Sequence, residues 1–412
     1  MHSLSGRFSF HWLFFQKQVV KRYQRKFRQI EMRLGLVLSL VSAFQIFQQS
    51  VVNELHDVDR KSYSFSLASA AFPLGQFIST LFLACNPIPA KQGLVTDAWL
   101  LIIGSVVAAF PSWALMCAGR FLIGCGAGLG FVCSTIVLYD LVPYSARPAH
   151  FLALGISFAF ATLMINCAPL VNFSDTVTVL FASVVSAASG IAYLFLQPEP
   201  NAENIADSPL EGAKEVPSKF PSTLIYVLMT LNVSIGVPAI LAFSKGVFEN
   251  FGLDPITSAR LSVAFPVVQI VAIFILHKSL LDRKILIVGG YIVAVMIQAM
   301  LLLTSYYPHL QPEHKTIAMS VLFWLLAFVV CVPCNTALCL ITEQFACSNE
   351  QMTYASRGRT LMWILATIST ATFMWTMEVY GFTICFAPYV VISAMFLAVL
   401  IHVYPETCRD DV

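Results

Sequence analysis

Apolar stretches of about twenty residues alternate with short polar, glycine- or proline-containing turns along almost the whole chain. They can be marked near 33–53, 63–84, 95–111, 113–138, 148–170, 176–197, 221–245, 257–280, 284–305, 315–341, 358–378 and 381–404. A helix of roughly 20 apolar residues is long enough to cross the hydrocarbon core of a bilayer. The pattern therefore predicts an all-α membrane protein with twelve transmembrane helices in two six-helix bundles. The third segment is the weakest, because Asp97 is expected at its start. Composition strengthens this reading. Hydrophobic residues make up 58% and charged residues 11%, far from the balance of a soluble globular protein.

The basic residues orient the spans. The first 33 residues carry Arg7, Lys17, Lys21, Arg22, Arg25, Lys26, Arg28 and Arg33. With that end inside, about eighteen Lys and Arg fall on the cytoplasmic side and five outside. This bias places both termini in the cytoplasm. The expected organisation is a basic segment at 1–32, a first bundle at 33–197, a linker at 198–220, a second bundle at 221–404 and a tail at 405–412. The linker, PEPNAENIADSPLEGAKEVPSKF, is Pro-rich and polar. FSFHWLFF (8–15) precedes the basic run, the reverse of a cleavable signal peptide. KRYQRKFR (21–28) is either a topology signal or a segment held on anionic membrane lipid.

The fourth segment, WALMCAGRFLIGCGAGLGFVCSTIVL, has one charge, Arg120. A guanidinium at that depth costs roughly 3 kcal/mol or more unless it faces a protein interior or a water-filled cavity. Gly124, Gly126, Gly128 and Gly130 follow and let a neighbouring helix approach closely. The sequence places Arg120 in the bundle interior, in the outer half of a polar path, with Gln49 or Glu54 as partners.

These residues also carry a resemblance. Gly119, Arg120, Phe121, Gly124, Gly126 and Gly128, followed by Asp140, Pro143 and Arg147, resemble the G-R-[FW]-x-x-G-x-G-x-G and E-x-x-P-x-x-x-R-G signature of the sugar-porter branch of the major facilitator superfamily. Asp140 stands for the usual Glu and Pro148 for the Gly. FLQPEP (195–200), FENFGL (248–253) and HVYPET (402–407) resemble the later motifs of that branch, in order. The two halves echo each other: DLVPYSAR after the fourth span is answered by Glu343, Phe345, Arg357 and Gly358 after the tenth. Such internal symmetry accompanies two bundles rocking about a central site.

The resemblance implies a transporter working by alternating access, with a cytoplasmic charge clasp of Asp140, Arg147, Glu199, Arg283, Glu343, Arg357 and Glu406. It implies gating hinges at Gly236, Pro238 and Pro333. The path residues it points to are Gln45, Gln49, Arg120, Asn232 and Asn335. The sugar pocket itself is altered. The seventh-span signature becomes NVSIGVP (232–238), keeping only Asn232 and Gly236, and other expected pocket positions fall on Gly155, Val267 and Leu338. The solute is then a sugar or related small organic molecule, or a less polar one, or transport has been lost.

Energy coupling is read from absence. No Asp, Glu or His is expected near the centre of a span, and Gln49 stands where proton-coupled sugar porters carry Asp. Proton coupling needs a group that changes charge in mid-membrane, so the expectation is facilitated uniport. No nucleotide loop, metal-spaced His pair or nucleophile motif is present, so no enzyme activity, cofactor, metal or nucleic-acid partner is expected. The eleven cysteines lie mostly within spans, as small buried hydrophobes. Asn172-Phe173-Ser174 is a glycosylation candidate on the outer side. The reading is a multi-pass facilitator, in the plasma membrane rather than an internal one. Its alternative is a transport-incompetent relative acting as a sensor or membrane partner.

Overall fold

The structure is a computed structural model that describes residues 33–44, 47–55, 62–142, 147–171, 173–196, 222–277, 284–307, 309, 311–343 and 348–404. The basic segment 1–32, the linker 198–220 and the tail 405–412 lie outside the described residues, as do Gln45, Asn172, Glu199, Arg283 and Glu406.

Among the described residues, the helices fall into twelve successive passes. The first, α1, is helical over the described residues 33–44 and Phe47–Ser50 and tightens into a 3-10 turn at Val51–Glu54. Then come α2 Tyr63–Cys85, α3 Ala90–Ala108, α4 Trp113–Leu141, α5 Arg147–Asn166 and α6 Asp175–Leu196. The seventh pass is split into α7a Ser222–Ser234 and α7b Val237–Asn250. It is followed by α8 Pro255–His277, α9 Gly290–Tyr306, α10 Pro312–Glu343, α11 Ser348–Tyr380 and α12 Phe382–Val403. Among the described residues, nine helices are long and apolar enough to cross a membrane, and two shorter apolar ones accompany them. Helices suit such sequences because each satisfies its own backbone where no water can.

The helices form two six-helix bundles. In the first, α4 is packed between α2 and α3, and α3 also packs on α6. In the second, α9 packs on α10 and α12, and α7a on α11 and α12. The bundles meet mainly where α2 lies on α11 and α5 on α8. The outer surface is apolar: Phe82, Trp99, Ile103, Phe274, Met296, Leu303, Ile384 and Met395 are all exposed. That inversion of the soluble pattern suits a lipid surround.

The glycine-rich run of α4 does what its spacing predicts. A Cβ on Gly124 would overlap the Phe72 carbonyl oxygen of α2, and one on Gly75 of α2 would overlap the Phe121 carbonyl oxygen of α4. Gly124→Val is expected to separate these helices, at about 1–3 kcal/mol or more for overpacking. The check is the yield of monodisperse protein and its thermal midpoint in detergent.

One boundary differs from expectation with consequences. The third helix begins at Ala90 rather than near 95, because AKQGL continues the helix ahead of the apolar run. Asp97 therefore stands seven residues inside α3 and is fully buried. A charged residue marked the start of the apolar run, not the start of the helix.

Candidate functional site

With the orientation set by the basic residues, Arg120 lies seven residues into α4 from its outer end, about 10 Å deep at 1.5 Å per residue. It is 1% exposed. Its Nε donates to the Ala68 carbonyl of α2 at 3.0 Å. Its Nη1 donates to the backbone carbonyl of Gln48 on α1 and, at 3.5 Å, to the Gln48 Oε1. The guanidinium sits 6.0 Å from the Phe72 ring centre. Arg120 thus faces the interior and ties α4 to α1 and α2.

The partner is Gln48, not Gln49 or Glu54. At Ser50–Val51 the first helix tightens to a 3-10 turn, where the regular carbonyl ladder is interrupted and a main-chain carbonyl can turn to a side chain. Gln48 Nε2 in turn donates to Ser186 Oγ of α6 at 3.3 Å. Gln49 is buried nearby.

The seventh pass breaks where Gly236 and Pro238 predict. Gly236 has φ 85°, left-handed backbone that favours glycine. Pro238 stands in the first turn of α7b. Having no N–H, it cannot satisfy the Ser234 carbonyl one turn earlier. Gln298 Nε2 of α9 does so instead, at 3.1 Å, and Ser393 Oγ of α12 donates to Ser234 Oγ at 3.0 Å. Gln298 and Ser393 were missed in the sequence; the available signal was a lone Gln inside the apolar run of α9. Asn232, just before the break, accepts at Oδ1 from Tyr291 Oη at 2.5 Å and from Cys334 Sγ at 2.9 Å. Its amide NH2 is left as a donor, and the residue is half-buried.

Pro333 lies within an unbroken α10. Its ring sits against Gly290 of α9, where a Cβ would come within 3.0 Å of Pro333 Cδ. Asn335 is on α10 just beyond it.

The clasp residues are only partly described. Asp140 is near the inner end of α4, Arg147 opens α5 and Glu343 closes α10. Arg357 on α11 is exposed, its guanidinium 5.9 Å from the Tyr354 ring. Two residues along, Arg359 is buried, with its guanidinium 4.2 Å from the ring of Phe131 on α4 of the other bundle. Sequence reasoning counted Arg359 only among the cytoplasmic charges. Its neighbour Gly358 packs against Ile225 of α7a, where a Cβ would come within 2.6 Å of that side chain.

Aromatic packing joins the two bundles near the end of α1. Phe65 of α2 lies 6.0 Å from Phe243 of α7b, which stacks on Phe373 of α11 at 5.9 Å. Val52 and Leu55 at the end of α1 join the same cluster.

The expectation that no carboxylate lies near the centre of a span is corrected at Asp97. Asp97 is buried inside α3, and Glu54 and Lys245 are buried where the end of α1 packs on α7b. Asp97 Oδ1 lies against Gly126 of α4, within electrostatic range of Cys133 and Tyr193. Tyr193 Oη is 2.7 Å from Ser42 Oγ, joining α6 to α1.

Two six-helix bundles, a buried guanidinium between helices and a broken helix facing the seam define a membrane transporter rather than an enzyme. The family model described as Major Facilitator Superfamily matches residues 34–356. The chain belongs to that superfamily. A sequence comparison with curated proteins found no match. Among solved structures, a proton:xylose symporter bound to 6-bromo-6-deoxy-D-glucose is similar over 92% of this chain and 96% of its own, with TM-score 0.73 and 15% identity. The partially occluded, inward-open xylose transporter of E. coli is similar over 92% and 98%, with TM-score 0.71 and 13% identity. The human organic anion transporter MFSD10 is similar over 91% and 99%, with TM-score 0.62 and 13% identity.

Proposed function

We propose that the chain moves a small organic solute, a sugar or a molecule of related size, through the seam between its bundles by alternating access, in the plasma membrane. The observation that carries this reading is the broken seventh pass. Its freed carbonyl is held by Gln298, and Asn232 presents a donor beside it. Discontinuous helices with a polar group at the break mark substrate sites in transporters. The sugar named with the xylose symporter supports a solute of that size, although few of the sugar-porter pocket residues are retained here. That loss is also what favours the second reading, a folded relative that no longer transports.

We further propose that transport is downhill. The described hydrogen-bond partners of Arg120 are neutral, two carbonyls and a carboxamide, and a group that cannot change its charge cannot tie proton binding to the conformational equilibrium. Asp97 is assigned to the interior of the first bundle, since α3 packs on α4 and α6. The test is flux in sealed vesicles with the pH clamped on each side. Equilibration without accumulation is expected, in the parent chain and in Asp97→Asn alike. Accumulation driven by an inside-alkaline gradient, and abolished by an uncoupler, contradicts uniport.

A further inference from the structure

Three groups on α11 stand out. Ser356, Arg359 and Trp363 are spaced three and four residues apart, so they share one face of the helix. They are 0%, 7% and 5% exposed. Among the described residues, Ser356 Oγ, Arg359 Nη2 and Trp363 Nε1 are all buried without a hydrogen-bond partner. Each buried polar group left in that state costs about 1–3 kcal/mol, and here three are stacked in a column.

That column faces the seam between the bundles. The Arg359 guanidinium lies over Phe131 of α4 at 4.2 Å. Phe131 stacks on Phe158 of α5 at 5.3 Å. Trp363 packs in a cluster with Met229 of α7a, against which Phe77 of α2 is also packed. The column is therefore walled by helices of both bundles. Phe131 is eleven residues further along α4 than Arg120, roughly 16 Å nearer the inner side at the helical rise.

Two of the three groups are one-sided, while the Ser356 hydroxyl both donates and accepts. A guanidinium and an indole N–H only donate. Arg359 has a thioether at 3.3 Å, Met362 Sδ, as its one hydrogen-bond acceptor among the described residues. Arg120 also leaves its Nη2 without a partner but holds two carbonyls and a carboxamide oxygen through Nε and Nη1. A neutral polyol offers hydroxyls that donate as readily as they accept and leaves the charge uncompensated. An oxyanion supplies acceptors alone, with the opposite charge, and charge-assisted bonds are roughly twice as strong as neutral ones. The aromatic and apolar walls suit a ring or hydrocarbon body.

We propose that Ser356, Arg359 and Trp363 bind the negatively charged group of an organic anion, so that the solute is a small carboxylate or phosphate ester with a ring or apolar body. This rests on the transport reading above and names the charge of its solute.

The test separates binding from flux. Thermal midpoints of the full chain in detergent are measured at constant ionic strength with matched probes: glucuronate and glucose 6-phosphate against glucose, and benzoate against benzyl alcohol. A ligand that binds only the folded state raises the midpoint with concentration. At least one anion is expected to do so while its neutral counterpart does not. Arg359→Gln is expected to weaken that response about tenfold or more, Trp363→Phe by several-fold with the ring packing kept, and Arg359→Lys less than Arg359→Gln. Arg260→Gln, at an exposed position on α8, serves as the unaffected control. If no anion exceeds its neutral partner, or Arg359→Gln and Trp363→Phe both respond like the parent, the assignment is wrong and Arg359 only latches the bundles through Phe131. Should Arg359→Gln fail to fold, Trp363→Phe decides alone. Flux of the same probes is then read in liposomes. Anion binding without flux of any probe leaves this assignment standing and overturns transport; flux of neutral probes without anion binding does the reverse.

Discussion

Arg120→Ala is expected to abolish solute uptake while folded protein still reaches the membrane. The substitution removes three hydrogen bonds at once, to the Ala68 carbonyl and to the carbonyl and side chain of Gln48. Each bond from a charged donor is worth about 1.5–3 kcal/mol, so the link that holds α1 and α2 to α4 is lost. The fold has other supports there, because the glycine contacts between α2 and α4 persist. Uptake is therefore expected to fall by about 10²-fold or more, while size-exclusion chromatography still shows a monodisperse peak. Arg120→Lys is expected to recover little, since one ammonium cannot reproduce the planar fork that reaches two helices. Unimpaired uptake in Arg120→Ala would refute a role for this residue in the path.

Gly236→Val is expected to produce the second-largest effect, by a different route. Gly236 has φ 85°. A residue with a Cβ pays roughly 1–2 kcal/mol in that region, and a branched one is a genuine outlier there. Relaxing the strain means rotating α7a against α7b. That would pull Ser234 away from Gln298 and Ser393 and shift Asn232 from Tyr291. The expected outcome is about a tenfold loss of initial rate with modest loss of thermal stability, and a smaller loss for Gly236→Ala. The check is the initial rate of uptake normalised to folded protein. A Gly236→Val protein that transports at the parent rate would show that the break is not a moving part.

The elements that could be read from the sequence are those whose physics is local. Twelve passes follow from the length of the apolar runs, the break in the seventh from Gly236 and Pro238, and the inward Arg120 from the cost of placing it in lipid. What escaped depends on contacts between distant segments or on helix phase. Gln48 rather than Gln49 holds Arg120 because the helix tightens two residues later, and adjacent side chains diverge by about 100°. Asp97 was misplaced because a helix can begin well before its apolar stretch. Gln298 and Ser393 acquire their roles only when α9 and α12 meet the carbonyl that Pro238 leaves behind. Arg359 looked like one more inner-side charge until α11 was placed against α4.

The most direct measurement is counterflow in liposomes that contain only this chain. Vesicles are preloaded with unlabelled solute, and entry of the labelled form is followed for xylose, glucose, glucuronate and benzoate. An alternating-access carrier returns loaded faster than empty, so at least one solute should show transient accumulation of label in preloaded vesicles, absent in Arg120→Ala vesicles. Folded protein that gives no exchange with any of these solutes would contradict the account and leave the non-transporting relative as the reading.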